Sequence, residues 1–475
     1  MAKSKFKNRS PLAYGAVILT AFTLICRFLG MAFRMYLTTR IGSEGIGLYQ
    51  LIMSVYTLFA TLSTAGFTIA VSRLAAERLA VTDEAKGNAS ARKIFKVSSV
   101  ISLTIATVMM IIMVVSAQSV AELLLKDTRV TVPLRVLALT MPFIALSSCL
   151  KGYFLAKRNM WMNASAMLFE QIVKIAVIMC FIGIYMSNTN DIGRLCMAVV
   201  GGATLGEVAS YIYLLIMYYI VKCKDKTAKE IKIVIDNPIK TVLSVTLPIA
   251  ASAYVTNFLH TGENIIIPMG FVSYGSEYSK ALADFGIIRG MAIPALFFPF
   301  AFLSSLVAVL IPEISRENSV DKYAANNRIT KVMNLSFIFS IISGAIFFFF
   351  SSKISYLFYH TEEAAFAIKM LATVTPLMYM ETICDGLLKG IGQQMATLRY
   401  NIYNSILRII AIMILIPKFG VIGYLIILII SNTFSFFLMY CKLKKITEFK
   451  QRYLTSIIIP LIISVITGIF IIILH

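Results

Sequence analysis

The sequence is short of acidic residues, histidine and tryptophan, and these shortages exclude several classes of protein. Asp and Glu number 23 against 44 Lys and Arg, and the chain has three histidines and one tryptophan. Its seven cysteines form no CxxC pair, so we expect neither a disulfide framework nor a metal site. No Walker loop, nucleophile elbow or GxGxxG motif is present, and we therefore expect no cofactor and no enzymatic activity.

Long apolar stretches are abundant instead. The 475 residues are 59% hydrophobic and only 14% charged, with a mean hydropathy of +0.83. A membrane-spanning helix needs about 20 apolar residues, and the alternating pattern of a membrane barrel is absent. The sequence predicts an all-α polytopic membrane protein with about thirteen transmembrane helices. We place them at 14–39, 46–71, 97–121, 132–156, 162–186, 195–221, 243–269, 283–311, 332–358, 366–390, 400–417, 420–441 and 453–474.

The basic residues between these spans are distributed asymmetrically. With the N-terminus in the cytoplasm, thirty Lys and Arg fall in inside segments, seven in outside segments and seven within spans. Such a bias orients membrane proteins with the basic side inward. We therefore expect a cytoplasmic N-terminus and, after thirteen spans, a C-terminus outside. The positive charge faces anionic lipid head groups, and we expect no nucleic-acid partner.

A weak internal repeat indicates two related halves. Leu150-Lys151-Gly152 recurs as Leu388-Lys389-Gly390, half the chain later, and similar apolar helices follow each copy. A parallel repeat of this kind is found in alternating-access transporters, although a chance match of apolar residues is an alternative. We predict two pseudo-symmetric six-helix lobes, residues 1–222 and 223–445, and an additional C-terminal helix within 446–475.

Arg27 and Arg34 lie inside the first apolar span. A charge at this depth costs about 3 kcal/mol or more and usually marks a pathway or cavity. Seven residues are about two helical turns, so the two arginines and Gly30 share one face. A pair of guanidinium groups suits a phosphate or diphosphate. The alternative is snorkelling of the arginines to the interface.

Two further arginines are candidates for the same site. Arg73 ends the second span, where interfacial anchoring is an equal alternative. Arg289 lies between glycines in span 8 and is followed by Pro294 and Pro299, which predicts a bent helix opening onto a cavity.

Several acidic residues also lie within the predicted spans. Glu170 and Lys174 are four residues apart on one helix face, and we interpret them as a structural ion pair, with a substrate contact in the cavity as the alternative. Arg408 of span 11 is a further candidate for the cavity or for coupling, and either acid of span 10 is a candidate partner for it. Glu381 and Asp385 of that span either bind a coupling cation or proton, or balance Lys389 and the arginines. The remaining candidates for the cavity or for coupling are Glu207 and Glu263.

Three segments resemble a known family. Residues 27–77, which begin RFLGMAFRMYL, resemble the start of the stage V sporulation protein B group of polysaccharide biosynthesis proteins. Residues 150–178 and 384–394 are similar to the corresponding segments of the two halves of that group. The group belongs to the multidrug/oligosaccharidyl-lipid/polysaccharide (MOP) exporter superfamily, which also contains the MurJ lipid II flippases.

The resemblance implies a two-lobe, alternating-access flippase that moves undecaprenyl-diphosphate-linked cell-wall precursors, with lipid II as the leading cargo, across the bacterial cytoplasmic membrane. It assigns diphosphate binding to the positions that match the family's arginines, Arg27, Arg34, Arg73 and Arg289. Some relatives bind sodium through acids of spans 7, 11 and 12. Span 11 has no acid here, which counts against that site.

The residues leave several alternatives to lipid II transport. In one alternative, the protein transports another lipid-linked polysaccharide unit or a cationic drug. In another, it is a non-transporting scaffold for cell-wall or sporulation enzymes. Cationic spans count against drug export, and buried arginines are an unnecessary cost in a scaffold. The expected partners are the lipid-linked glycan, membrane lipids and cell-wall synthesis enzymes, and we expect a monomer.

Overall fold

The computed structural model describes residues 11–81, 84–186, 192–224 and 237–474, and within these ranges the chain contains helices and no strand. The basic N-terminal segment and most of the connection predicted at 222–240 lie outside the described residues. The α-helices are α1 (Pro11–Thr64), α2 (Phe67–Val81), α3 (Glu84–Ser119), α4 (Thr131–Ala138), α5 (Met141–Ala156), α6 (Met160–Met186), α7 (Ile192–Lys224), α8 (Pro238–Tyr274), α9 (Tyr278–Phe285), α10 (Ile293–Phe297), α11 (Phe300–Val320), α12 (Lys322–Phe349), α13 (Ser351–Tyr359), α14 (Ala365–Ala372), α15 (Thr375–Gly390), α16 (Gln394–Thr447) and α17 (Ile459–Leu474).

Many of these helices have the length and composition of membrane spans. Seven helical stretches of the described chain are long and apolar enough to cross a bilayer, and the number rises to nine when two bent helix pairs each count as one span. This confirms the all-α polytopic prediction. The figure of thirteen spans stays a prediction, because several predicted spans are joined end to end or broken.

Glycine breaks divide the two longest helices. In α1 the backbone at Gly42 has φ 70° and ψ 179°, and in α16 it has φ 56° and ψ −132° at Gly420. Side chains with a Cβ rarely adopt these conformations. Both breaks lie where a predicted span ends and the next begins, at 39–46 and at 417–420.

Proline breaks interrupt spans that the hydropathy pattern predicts as continuous. The predicted span at 132–156 is two helices, α4 and α5, bent by 44°, and Pro142 lies in the first turn of α5. The predicted span at 366–390 is likewise α14 and α15, with Pro376 in the first turn of α15. Proline has no N–H to extend the preceding helix and is favoured at a helix start. Each of these two predicted spans is thus a broken helix.

The helix bounds themselves repeat along the chain. A single displacement of half the chain carries Thr131–Ala138 onto Ala365–Ala372 and Met141–Ala156 onto Thr375–Gly390. The same displacement carries the start of α6 onto the start of α16. The Leu-Lys-Gly match in the sequence is therefore out of register with the helices by about one helical turn.

Packing divides the chain into two compact units. The first unit comprises the chain up to Leu29 and Leu51–Thr261, and the second comprises Gly30–Gln50 and Gly262–His475. Each has its own apolar core, which includes Tyr153 in the first unit and Tyr379 in the second. The lobes predicted at 1–222 and 223–445 follow topology rather than packing, and their boundaries stay predictions.

Candidate anion-binding site

A π-helical segment forms the centre of the candidate site in the second unit. Gly286–Ala292 joins α9 to α10 with π-helical hydrogen bonding, and Arg289 lies within it. A bend of 57° then separates Phe297 from Phe300, with Pro299 immediately before α11. This confirms the predicted bend. A π-helical segment displaces the regular helix hydrogen bonds, leaves carbonyls for other donors and is frequent at functional sites.

Two glycines in this segment allow α1 to approach closely. A Cβ at Gly286 would lie 2.1 Å from the Ser43 carbonyl oxygen, and one at Gly290 would lie 2.0 Å from Cγ2 of Ile46. Small residues four apart on a helix are typical of close helix contacts in membranes. The glycines thus fix the π-helical segment against residues 43–47 of α1.

Two side chains donate hydrogen bonds to backbone carbonyls of the π-helical segment. Arg34 of α1 donates from Nη1 to the Gly290 carbonyl oxygen over 3.2 Å. Tyr359, which is buried, donates from its hydroxyl to the Met291 carbonyl oxygen over 2.8 Å. Arg34 is only partly exposed, so its guanidinium is engaged inside the second unit rather than directed away from it.

A single buried carboxylate lies between two arginines in the same unit. Oε2 of Glu263 is 3.3 Å from Nη1 of Arg408 and 3.7 Å from Nη2 of Arg289. The Glu263 side chain is 0% exposed, that of Arg408 is 10% exposed and that of Arg289 is 22% exposed. One negative charge serves two positive ones, so these three residues carry a net charge of +1, and Arg34 adds a second.

The position of Arg408 corrects the prediction that it pairs with an acid of span 10. Its carboxylate partner is Glu263 of α8, because α8 and α16 pack closely where a Cβ on Gly270 would lie 2.8 Å from Ile416. Arg408 also donates from Nε to the hydroxyl of Ser431 over 3.2 Å. Removing one member of a buried ion pair costs about 3–5 kcal/mol, because the other charge is left uncompensated.

The predicted acids of span 10 have separate partners. Glu381 accepts a hydrogen bond from the hydroxyl of Ser435 over 2.5 Å. Asp385 forms an ion pair with Lys389, one turn later on α15, over 2.6 Å. Asp385 thus follows the alternative in which this acid balances Lys389. Glu381 interacts electrostatically with Arg408 but forms its hydrogen bond with Ser435.

The other predicted arginines belong to the first unit. Arg27 is exposed on α1. Arg73 on α2 is exposed and forms an ion pair with Glu77, one turn later, over 2.9 Å. Gly30 is partly buried and is the residue at which α1 enters the second unit. Their contribution to a substrate site stays a prediction.

The first unit also contains a mixed cluster of acids and lysines. Glu170 pairs with Lys151 of α5 at 3.9 Å, which corrects the predicted partner, Lys174. Glu207 of α7 interacts electrostatically with Glu170 and both lysines. The helices are close here, since a Cβ on Gly206 would lie 2.9 Å from Cβ of Lys174. Lysine has a long flexible stem, so the helix packing decides which acid each one faces.

Tyr359, Tyr424 and Ser431 contribute to the site but are absent from the sequence-based candidates. Tyr424 is fully buried and interacts electrostatically with Glu263 and both of its arginines. Hydroxyl groups inside long apolar spans are a weak signal, because most of them bond to their own helix. Among the described residues there is no group of three or more His, Cys, Asp or Glu that could hold a metal ion.

Comparison with known proteins gives this geometry a family context. Residues 12–318 match the family model described as polysaccharide biosynthesis protein. This chain belongs to that family. Among curated relatives of the family, it is 28% identical to stage V sporulation protein B of Bacillus subtilis over 429 residues, covering 89% of this chain and 80% of the relative. It is 23% identical to lipid II flippase MurJ of the same organism over 487 residues, covering 97% of this chain and 88% of the relative.

Solved structures show the fold of this polysaccharide biosynthesis protein. It matches an inward-facing multidrug-resistance MATE-family transporter of the MOP superfamily with a TM-score of 0.66 and 15% identity, over 91% of this chain and 98% of the other. A MOP-superfamily transporter from Pyrococcus furiosus matches with a TM-score of 0.60 and 14% identity, over 92% and 95% of the two chains. The fold is that of the MATE-family structures, which confirms the predicted fold class.

Proposed function

We propose that this protein is a flippase that carries an undecaprenyl-diphosphate-linked cell-wall precursor from the inner to the outer leaflet of a bacterial cytoplasmic membrane by alternating access, with lipid II as the cargo. The observation that carries the proposal is the excess of buried positive charge in the second unit. Arg289 and Arg408 share the carboxylate of Glu263, and Arg34 donates to the Gly290 carbonyl oxygen in the same unit. A helical membrane protein retains such charges at high cost only where an anion compensates them.

A diphosphate is the anion that this arrangement suits. Each guanidinium is planar and can donate two parallel hydrogen bonds to phosphate oxygens. Arg27 and Arg73 of the first unit are the further ligands in the proposal, as the family resemblance implies. The sugar and peptide part of the cargo is polar and needs a route through the protein, whereas the polyprenyl tail can remain in the lipid.

The family relationship supports transport rather than a scaffold. The similarity to lipid II flippase MurJ extends over 97% of the chain, and the similarity to stage V sporulation protein B is stronger in identity. A drug exporter for cations would need an excess of acids at its site, and the second unit has the opposite balance. Protein partners among cell-wall synthesis enzymes are compatible with this function but are not required by it.

Substitution of the arginines tests the proposal. We expect Arg27→Ala and Arg289→Ala each to abolish complementation of a flippase-depleted bacterial strain, because each removes a positive charge that the diphosphate needs. Membrane fractions probed for the protein establish that the variants are inserted. Arg399→Ala is the matched control: Arg399 is exposed on α16, the helix that carries Arg408, and its loss should leave growth unchanged.

The cargo is tested with purified protein in vesicles. Lipid II and other undecaprenyl-diphosphate-linked glycans are placed in the inner leaflet, and their appearance outside is measured with and without an ion gradient. Faster movement of lipid II than of the other glycans is expected. Full complementation by both alanine variants contradicts the arginine mechanism, and equal movement of all glycans contradicts lipid II as the specific cargo.

A further inference from the structure

The carboxylate of Glu263 binds its two arginines unequally. Arg408 lies within hydrogen-bond distance of Oε2, at 3.3 Å, and donates a second hydrogen bond to Ser431. Arg289 is 3.7 Å from the same oxygen, beyond hydrogen-bond distance, and twice as exposed. Arg408 is therefore the closer, more deeply buried partner, and Arg289 is the looser one.

Arg289 retains unused hydrogen-bonding capacity. Its Nε is buried and makes no hydrogen bond within the part of the chain that the structure describes, although the Tyr424 hydroxyl interacts with the same side chain. A buried donor without an acceptor is costly, and such a group commonly marks a place that a ligand or water fills. The glycine contacts of the π-helical segment with α1 fix the backbone position of Arg289.

We propose that Glu263 is an internal substitute anion that holds Arg289 when no substrate is bound, and that a diphosphate displaces it from Arg289 during loading. Glu263 then remains paired with Arg408, so neither the carboxylate nor the second arginine is left without an opposite charge. When the diphosphate leaves, Glu263 recovers Arg289. This inference rests on the proposed function and adds a positioning residue that regulates the affinity of the same site.

The exchange predicts that removing Arg408 alone and removing Arg408 together with Glu263 have opposite effects on binding. Arg289 donates to the diphosphate, whereas Arg408 draws the Glu263 charge away from Arg289 and so assists binding without touching the substrate. Removing Arg408 leaves Glu263 to compete for Arg289 at full strength. Removing both Arg408 and Glu263 frees Arg289 and preserves the net charge of the three residues at +1. A purely structural ion pair predicts no such difference in sign.

The experiment measures the dissociation constant of undecaprenyl diphosphate for the purified full-length protein in detergent. Arg408→Met is expected to weaken binding about tenfold, and the double variant E263Q/R408M to tighten it about tenfold relative to the wild type, since a charge-assisted hydrogen bond changes affinity by about that factor or more. In vesicles the double variant should move substrate more slowly despite its tighter binding, because release is no longer assisted. Arg399→Met is the control for the substitution itself.

The outcomes separate this inference from the proposed function. If the wild type binds undecaprenyl diphosphate, Arg289→Ala loses that binding and the double variant binds like the wild type, Glu263 does not compete and the inference is wrong. If the wild type binds no diphosphate, or Arg289→Ala binds it equally well, the proposed site itself is wrong. Thermal unfolding of each variant establishes that it is folded, and the charge-neutral double variant avoids the buried unpaired charge of a single substitution.

Discussion

Each buried charge in the second unit has few atoms of opposite charge near it, so small changes in side-chain position decide which charges are paired. The carboxylate of Glu263 is fully enclosed, and its nearest guanidinium atoms are 3.3 and 3.7 Å away. The arginines reach it because their helices approach closely at glycines. At the scale of single residues, therefore, the glycines are as important to the site as the charges.

Gly286 provides a test of that packing. Gly286→Ala places a Cβ against the backbone of Ser43 and Gly47, which cannot move aside as a flexible side chain would. We expect a loss of about 1–3 kcal/mol from the free energy of unfolding, as for other overpacked positions. The reactivity of Cys384 toward a thiol-specific fluorophore on heating measures it, since this cysteine is buried in the core of the second unit.

The control for Gly286 is Gly183→Ala on α6. A Cβ at Gly183 would have no neighbour within 4 Å, so the substitution should be neutral or slightly stabilising. An unchanged unfolding temperature for Gly286→Ala would mean that α1 and the π-helical segment separate at little cost, contrary to the packing described here.

The long helices are interrupted at positions that have local physical causes. Glycine backbone conformations divide α1 and α16, prolines divide two predicted spans, and a π-helical segment precedes the bend at Pro299. These interruptions allow polar side chains to reach carbonyls that a regular helix would occupy. At the scale of elements, the broken helices are what make room for charge inside an apolar protein.

Gly42 isolates the conformational part of this effect. Its φ is 70°, and a Cβ there would have no neighbour within 4 Å, so Gly42→Ala introduces strain without a clash. We expect about 1–3 kcal/mol of destabilisation from the unfavourable backbone conformation alone. Chemical denaturation of the purified variant, compared with Gly183→Ala, measures it. Equal stability of the two variants would show that the α1 backbone relaxes at Gly42 without cost.

Individual positions show how far sequence reasoning extends. Charge inside apolar spans predicts Arg34, Arg289 and Glu263 as candidates, and the prolines predict the bend after Arg289. The pairing of Glu263 with Arg408, far along the chain, is not predictable, because it depends on which helices pack together. The same limitation explains why Lys174 is a wrong partner for Glu170.

The sequence contains a clearer signal for the contact between α1 and the π-helical segment. Gly286 and Gly290 are four residues apart, the spacing at which small residues mark helix contacts in membranes. The pattern identifies a helix face that another backbone approaches, although it does not identify which one. The π-helical hydrogen bonding of the same residues has no comparable sequence signal, because it depends on the hydrogen bonds that Arg34 and Tyr359 donate to the carbonyls of this segment.

The whole molecule repeats its helices in one register, in which the start of α6 corresponds to the start of α16. In this register Lys174 corresponds to Arg408, and each is a cation on the helix that follows the repeated pair. Lys174 interacts electrostatically with Glu207, and Arg408 forms an ion pair with Glu263. The two halves therefore preserve a cation at one position and differ in the acid that compensates it.

The orientation of the whole chain in the membrane is a separate prediction. In a cysteine-depleted variant, we expect Glu362→Cys to react with a membrane-impermeant maleimide on intact cells, and Lys445→Cys to react only after lysis. Both side chains are exposed and lie in segments predicted outside and inside. The expectation follows from the distribution of basic residues. The reverse labelling pattern would place the N-terminus outside.

Residues 43–47 have a further consequence for how the protein is made. They emerge from the ribosome early, but their packing partners at 282–290 are synthesised only after half of the chain has followed. At about 5–20 residues per second, the wait is roughly 10 to 50 seconds. During that interval residues 43–47 remain in the bilayer without the partners that later cover them. The insertion machinery or a membrane chaperone therefore has a defined surface to protect until translation reaches the second half.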